Sequence, residues 1–189
     1  MKNFENDIVN SINVLQQGGI ILYPTDTIWG LGCDATNPIP IKKIYHLKNR
    51  EEKKSMIILL AQESDIKNYV SNPSRKIIEY ASQQNRPTTA IFQNAINLPT
   101  ELINSDGSIA IRIVKDEFCE MLIKRLNGPL VSTSANISGE PSPENFKMIS
   151  AKIKSGVDYI VQHRQNDSQI SQPSSIIKLN EREEIEKIR

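Results

Sequence analysis

Cysteine and histidine are scarce in this chain, with two of each among 189 residues. Cys33 and Cys119 form no CxxC pair, so neither a zinc knuckle nor a disulfide framework is implied, and both read as small, reduced core residues. His46 reads as a helix-side residue and His163 as a surface one. A histidine-rich metal site is disfavoured. Long apolar runs are missing too. The longest, Met56 to Ala61, is far too short to span a bilayer. The N-terminal MKNFENDIVNSINVL lacks the apolar core of a signal peptide. A cytoplasmic, soluble protein is expected, with no membrane partner. Excess charge of either sign is also absent: 23 basic residues face 22 acidic ones, a formal net charge of +1. Global charge therefore gives no pull towards nucleic acid, and any anion site must be built locally. No Gly-, Ser- or Pro-rich linker or low-complexity tract divides the chain, so one domain over residues 1–189 is expected.

What is present is an alternation of helical and extended patterns, which predicts an α/β fold with a twisted mixed sheet. Phe4, Ile8, Ile12 and Leu15 recur at three- and four-residue steps, a helix over 4–17 ended by Gly18-Gly19. GIILY (19–23) is a short buried strand stopped by Pro24. Residues 24–35 form a shaped loop with short extended pieces. Pro38 to Leu47 is helical, with proline near the first turn. MIILLA (56–61) is a strand. Segments 63–70 and 73–84 are helical, 88–92 and 108–114 extended. Residues 116–127 form a helix with an Asp cap. Pro129 to Thr133 is a strand, 144–155 a helix, and 158–161, 175–179 and 185–188 the last strands.

Four segments place reactive side chains where strands end. In YPTDTIWGL (23–31), Thr25, Asp26 and Thr27 suit a small polar ligand, or equally a turn that satisfies its own backbone. Trp29 packs over this loop. In KNREEKKS (48–55), Lys48 and Arg50 share a side if the chain is extended, and Lys54 can join them across a bend. The three would hold a polyphosphate or form a solvated charged turn. In SIAIRI (108–113), Ser108, Ala110 and Arg112 share one strand face. An arginine there needs water, a protein carboxylate or an anionic ligand. In VSTSANISGEPS (131–142), hydroxyls and backbone N–H groups cluster after a strand, as an anion or ribose site or as a hydrogen-bonded turn. Ser132, Thr133 and Ser134 lack a histidine partner, which disfavours a hydrolase triad.

Taken in order, these segments resemble the YrdC family, the threonylcarbamoyl-AMP synthases. PTDTIWGL matches the family's Pro-Thr-Asp/Glu-Thr-x-Tyr-Gly-Leu, with Trp29 for Tyr. Lys48-Asn49-Arg50 matches Lys-x-Arg, and Lys54 is the basic position before the next strand. Pro87-Thr88-Thr89 resembles Pro-x-Thr, Ala110-Ile111-Arg112 is Ala-x-Arg, and Ser134 to Gly139 is Ser-Ala-Asn-x-Ser-Gly. Ser174-Ser175-Ile176 resembles the late Ser-Thr-Val strand, and Arg189 the final arginine. The likeness covers nearly the whole chain and is to the short bacterial type. Arg86-Pro-Thr-Thr89 departs from the usual Pro-Gly-Pro-x-Thr, and Pro173 stands where an acidic residue is usual.

The resemblance implies a single α/β domain with a concave site. It implies a nucleotidyltransferase that converts L-threonine, bicarbonate and ATP into threonylcarbamoyl-AMP and pyrophosphate, usually with Mg2+. A tRNA-threonylcarbamoyl transferase complex then modifies tRNA. By resemblance, Lys48 and Arg50 are catalytic. ATP is held by Lys48, Arg50, Lys54, Ser108, Ser134, Asn136, Ser142 and Arg189, and threonine by Thr27, Arg112, Ser132 and Ser174. No metal ligand is assigned to the protein. The main rival is a non-catalytic double-stranded RNA-binding module. A second is a carbamoyl-handling enzyme like the domains within hydrogenase-maturation proteins.

Overall fold

Capping side chains and short apolar runs set the element boundaries. The computed structural model describes residues 4–51, 56–167 and 172–189. Helix α1 (Glu5–Gln16) buries Ile8 and Leu15. Helix α2 (Pro38–Lys48) starts where the Asn37 side chain accepts from the Ile39 N–H at 3.0 Å, with Pro38 in the first turn, where its missing N–H costs nothing. It ends at Asn49, whose left-handed backbone (φ 49°) lets its N–H reach the Tyr45 and His46 carbonyls. Helix α3 (Arg75–Gln83) follows. Helix α4 (Glu117–Leu126) carries the expected cap, Asp116 Oδ1 accepting from Cys119 N at 2.9 Å. Helix α5 (Ala151–Ser155) is capped by Ser150.

Two expected helices differ in the structure. Residues 63–70 form only a tight 3-10 turn, Glu63–Asn68. The single helix expected over 144–155 is split. Asn145 caps a 3-10 turn (Phe146–Met148), Ile149 is extended, and Ser150 caps α5. Two capping residues five apart each draw backbone N–H groups to themselves, and a continuous helix loses.

The strands are β1 (Ile21–Tyr23), β2 (Gly30–Gly32), β3 (Ile57–Leu60), β4 (Thr88–Phe92), β5 (Ile109–Ile113), β6 (Leu130–Ser134), β7 (Tyr159–Ile160), β8 (Ser175–Leu179) and β9 (Ile185–Lys187). They form one nine-stranded mixed sheet in the order β7-β1-β2-β6-β3-β5-β4-β8-β9. The fold is α/β. Strand β2 is the extended piece within the expected 24–35 loop.

Alternate residues of the central strands enter different cores. Leu22, Ile58, Leu60 and Val131 join the core under α2. Ile21, Tyr23, Leu59 and Leu130 join the core under α1 and α4. Period-two alternation with both faces apolar is what a buried sheet requires. The α1–α4 face is covered over only part of its length. Arg112 pairs with Leu59 and Ser132 with Ile57, so polar side chains continue the same face beyond the helices.

Cys33 and Cys119 are free and buried, as expected. His163 is not a simple surface residue: its ring packs against Phe4 and Phe118 at centroid distances of 4.8 and 5.5 Å. Buried Asp7 draws it inward by accepting from the His163 and Gln162 N–H groups. Among the described residues, no helix is long and apolar enough to cross a membrane.

Strand β2 packs closely at Gly32, leaving no room for a side chain without a shift of its neighbours. A Cβ on Gly32 would lie 2.7 Å from the Tyr23 ring and 2.9 Å from the Val131 carbonyl oxygen. Gly32→Ala is expected to cost about 2 kcal/mol in urea denaturation. An unchanged midpoint would contradict this packing.

Candidate active site

The turn after β1 is wired to itself. Thr25 Oγ1 donates to the Ile28 carbonyl at 2.8 Å and accepts from Thr27 N at 3.0 Å. With its one proton used, it must act as acceptor in the 2.9 Å contact with Thr27 Oγ1. The Thr27 hydroxyl proton therefore points inward, and its lone pairs are left for a donor. Asp26, between them, sits 3.0 Å from Arg112 Nη2, with side chains 7% and 3% exposed.

That ion pair is close but misaligned. Asp26 Oδ1 and Arg112 Nε and Nη2 have no hydrogen-bond partner among the described residues. Of the partners the sequence left open for Arg112, the structure supplies the carboxylate, yet leaves the guanidinium's hydrogen bonds unfilled. A buried cation in this state is short of acceptors. Arg164 braces the same turn from behind. Its Nη1 donates to Thr25 O and to Asp116 Oδ2, each at 3.1 Å, and its Nε donates to Asp167 Oδ2 at 2.9 Å.

Arg112 opens into a cavity of about 400 Å³. Its wall gathers Thr27, Arg50, Arg112, Ser132, Ser134, Ser142, Ser174 and Arg189 from distant parts of the chain. Ser174 is buried, with its hydroxyl 2.8 Å from Thr89 Oγ1. Arg189 Nε donates to the Ser174 carbonyl at 3.2 Å. Burial lowers the Arg50 pKa, so its charge lacks part of its usual solvation. Ile57, Ile91 and Ile176 are among the apolar residues of the wall.

Three expected residues do not line this cavity. Lys48 and Arg50 are not side by side, because Asn49 turns the backbone left-handed between them. Lys48 dives inward, 1% exposed, and donates to the backbone carbonyls of Ser134 and Asn136 and to Asn136 Oδ1. Burial, and then the Arg50 charge, lower its pKa to about 7, while the three oxygens favour its charged form. Asn136 supports its own turn by donating to the Ile137 and Glu140 carbonyls. Ser108 faces an adjoining open recess of about 690 Å³. Its hydroxyl accepts from Asn104 Nδ2 at 3.0 Å. Lys54 lies outside the described residues.

Sequence reasoning missed Asn104, which lines both the cavity and the recess. It also missed Arg164 as a brace. Neither carries a local signal, since an asparagine in a loop and a lone arginine are ordinary. Trp29 is a wall residue of the cavity, its ring tilted against Phe146 at a centroid distance of 4.8 Å.

Among the described residues, no group of three or more His, Cys, Asp or Glu could hold a metal ion, and the described cavity lining carries no Asp or Glu. A protein-held Mg2+ does not fit this wall. The arrangement suits anionic ligands: guanidinium groups over an apolar floor, with hydroxyls between. The buried pair also sets a stability test. Asp26→Asn should cost on the order of 3 kcal/mol in urea denaturation, because it strands the Arg112 charge. An unchanged stability would show that Asp26 does not compensate that charge.

Comparisons with known proteins place the chain among relatives of the same fold. The family model for Sua5, YciO and YrdC proteins, described as "Telomere recombination", matches residues 13–189. A threonylcarbamoyl-AMP synthase of Coxiella burnetii (strain RSA 493) is 28% identical over 163 residues, 86% of this chain and 88% of that one. The synthase of Idiomarina loihiensis is 32% identical over 146 residues, 76% of this chain and 78% of its own. The crystal structure of P. abyssi Sua5 complexed with L-threonine superposes with a TM-score of 0.83 at 22% identity. That match covers 95% of this chain, which spans only 52% of the Sua5 chain. With its model match, its relatives and its sheet in agreement, the chain belongs to the Sua5/YciO/YrdC family.

Proposed function

We propose that this protein is a threonylcarbamoyl-AMP synthase, joining L-threonine, bicarbonate and ATP with release of pyrophosphate. The observation that carries this reading is the convergence of Arg112, its Nε and Nη2 without a hydrogen bond among the described residues, with Arg50, Arg189 and Ser134 on one cavity. The relatives named for this activity support it, since they match across most of their own length.

The chemistry asks mainly for positioning. Threonine's neutral amine adds to the carbon of carbon dioxide, drawn from bicarbonate with loss of water, and sheds a proton to give a carbamate. A carbamate oxygen then forms a bond to the α-phosphorus of ATP while the bond to pyrophosphate breaks. Arg112 suits the threonine carboxylate through a forked grip, and Thr27, with its lone pairs free, suits a donor such as the amine or hydroxyl. Ser132 and Ser174 complete that end. Arg50 and Arg189 take phosphate charge, and Ser134 and Ser142 line the nucleotide. Lys54 belongs with these cations by resemblance. Fixed guanidinium groups stabilise charge developing on the phosphorus oxygens without reorganising. Mg2+ would arrive on the triphosphate, as it commonly binds phosphates and water, and would offset charge there.

The product would pass to a tRNA-threonylcarbamoyl transferase complex, in a cytoplasmic setting. Nothing in the described surface favours the RNA-binding module over this reading.

Incubation with ATP, L-threonine and bicarbonate should release pyrophosphate only when threonine is present. Salt-sensitive RNA binding without that release would overturn the proposal. Arg50→Ala should lower turnover by roughly a hundredfold, and near-normal turnover would remove Arg50 from its role. Arg112→Lys should raise the KM for threonine, because a point charge cannot copy the fork. An unchanged KM would refute the carboxylate contact.

A further inference from the structure

The Lys48 ammonium has three donors, and three oxygens surround it: the carbonyls of Ser134 and Asn136, and Asn136 Oδ1. No donor is left over for a phosphate. The residue's own carbonyl also reaches the same turn, accepting from Ser138 N at 2.7 Å. Lys48 thus grips the turn at both ends of its structure, side chain to Ser134 and Asn136, backbone to Ser138. It does so from the last position of α2, immediately before the chain turns to bring Arg50 to the cavity.

We infer that Lys48 is a positioning residue, a pin that fixes the Ser134–Ser138 turn against the end of α2 so that Ser134 and Arg50 face the same hollow. This differs from the phosphate contact that the resemblance implies. Apolar packing of buried Ala135 and of Ile137 against the core also holds the turn, and Lys48 supplies its polar tie to α2. Ala135 N donates to the Trp29 carbonyl at 3.1 Å, and the bonds of Asn136 Nδ2 are internal to the turn. Loss of the pin should therefore loosen both the turn and Trp29, the chain's one tryptophan.

The test uses two variants that break opposite ends of the grip. Lys48→Met keeps the apolar stem and removes the three donors. Ser138→Pro removes the Ser138 N–H, together with its hydroxyl, and changes no charge; Ser138→Ala, which removes the hydroxyl alone, is its control. It suits the local backbone, since Glu140 N donates to Ile137 O with Gly139 at φ 89°, a turn whose second residue favours proline. Lys43→Met, an exposed cation on the same helix, is the control for Lys48→Met. Acrylamide quenching of Trp29 in the unliganded protein should rise in both variants and stay unchanged in both controls. The ligand measurement rests on the synthase reading. Calorimetric titration should show ATP and adenosine weakened by the same factor, about tenfold, in both variants.

Unchanged Trp29 quenching in Lys48→Met would overturn the pin. So would a loss confined to ATP, with adenosine and the Ser138→Pro variant unaffected, which is the signature of a direct phosphate contact. Should Lys48→Met not fold, Ser138→Pro decides alone: unchanged quenching and affinity would overturn the proposal. If the wild type binds neither adenosine nor ATP, the synthase reading fails, and the quenching comparison still decides the pin.

Discussion

A guanidinium held almost out of water in the middle of a sheet must be stabilised by its surroundings, and much of this molecule is arranged around that need. Arg112 has Asp26 at 3.0 Å, yet its Nε and Nη2 make no hydrogen bond among the described residues. Asp26 in turn sits on a loop that Arg164 holds through the Thr25 carbonyl. Arg164 is anchored by Asp116, whose other oxygen caps α4. A helix cap, a loop and a strand thus share one chain of charges. Arg164 adopts a left-handed backbone (φ 65°), which costs about 1 kcal/mol for a side-chain-bearing residue and is offset by its three polar contacts.

The cavity exists because one face of the sheet is only partly roofed. Helices α1 and α4 cover Ile21, Tyr23, Leu59 and Leu130. Further along the same strands come Ile57, Arg112 and Ser132, and these residues meet the cavity instead. Isoleucines give the wall an apolar part, and a lower local dielectric there strengthens charge contacts made beside it. Arg112 stands where a ligand's negative charge can supply its missing acceptors. The same wall offers three arginines and no Asp or Glu among its described residues, so it favours anions on electrostatic grounds.

The sequence made the fold class and most elements legible because their signals are local. Asp116 and Pro38 mark helix starts by chemistry that does not depend on the rest of the chain. The split near Ile149 was hidden, because two caps in one helical pattern compete and packing chooses between them. The site was legible as a set of segments, and the family resemblance ordered them. Their convergence depends on strand order, with β6 between β2 and β3, which no local pattern encodes. Lys48 shows the same limit. Its place beside Arg50 in a basic run suggests a shared role, but one left-handed residue at Asn49 sends the two side chains to different neighbours.

The central claim is that one hollow holds an amino-acid carboxylate and a triphosphate side by side. A crystal structure with L-threonine and a non-hydrolysable ATP analogue tests it most directly. The account predicts the carboxylate on Arg112 Nε and Nη2, with the phosphates against Arg50. Either ligand bound outside this cavity, or the carboxylate seated away from Arg112, would contradict it.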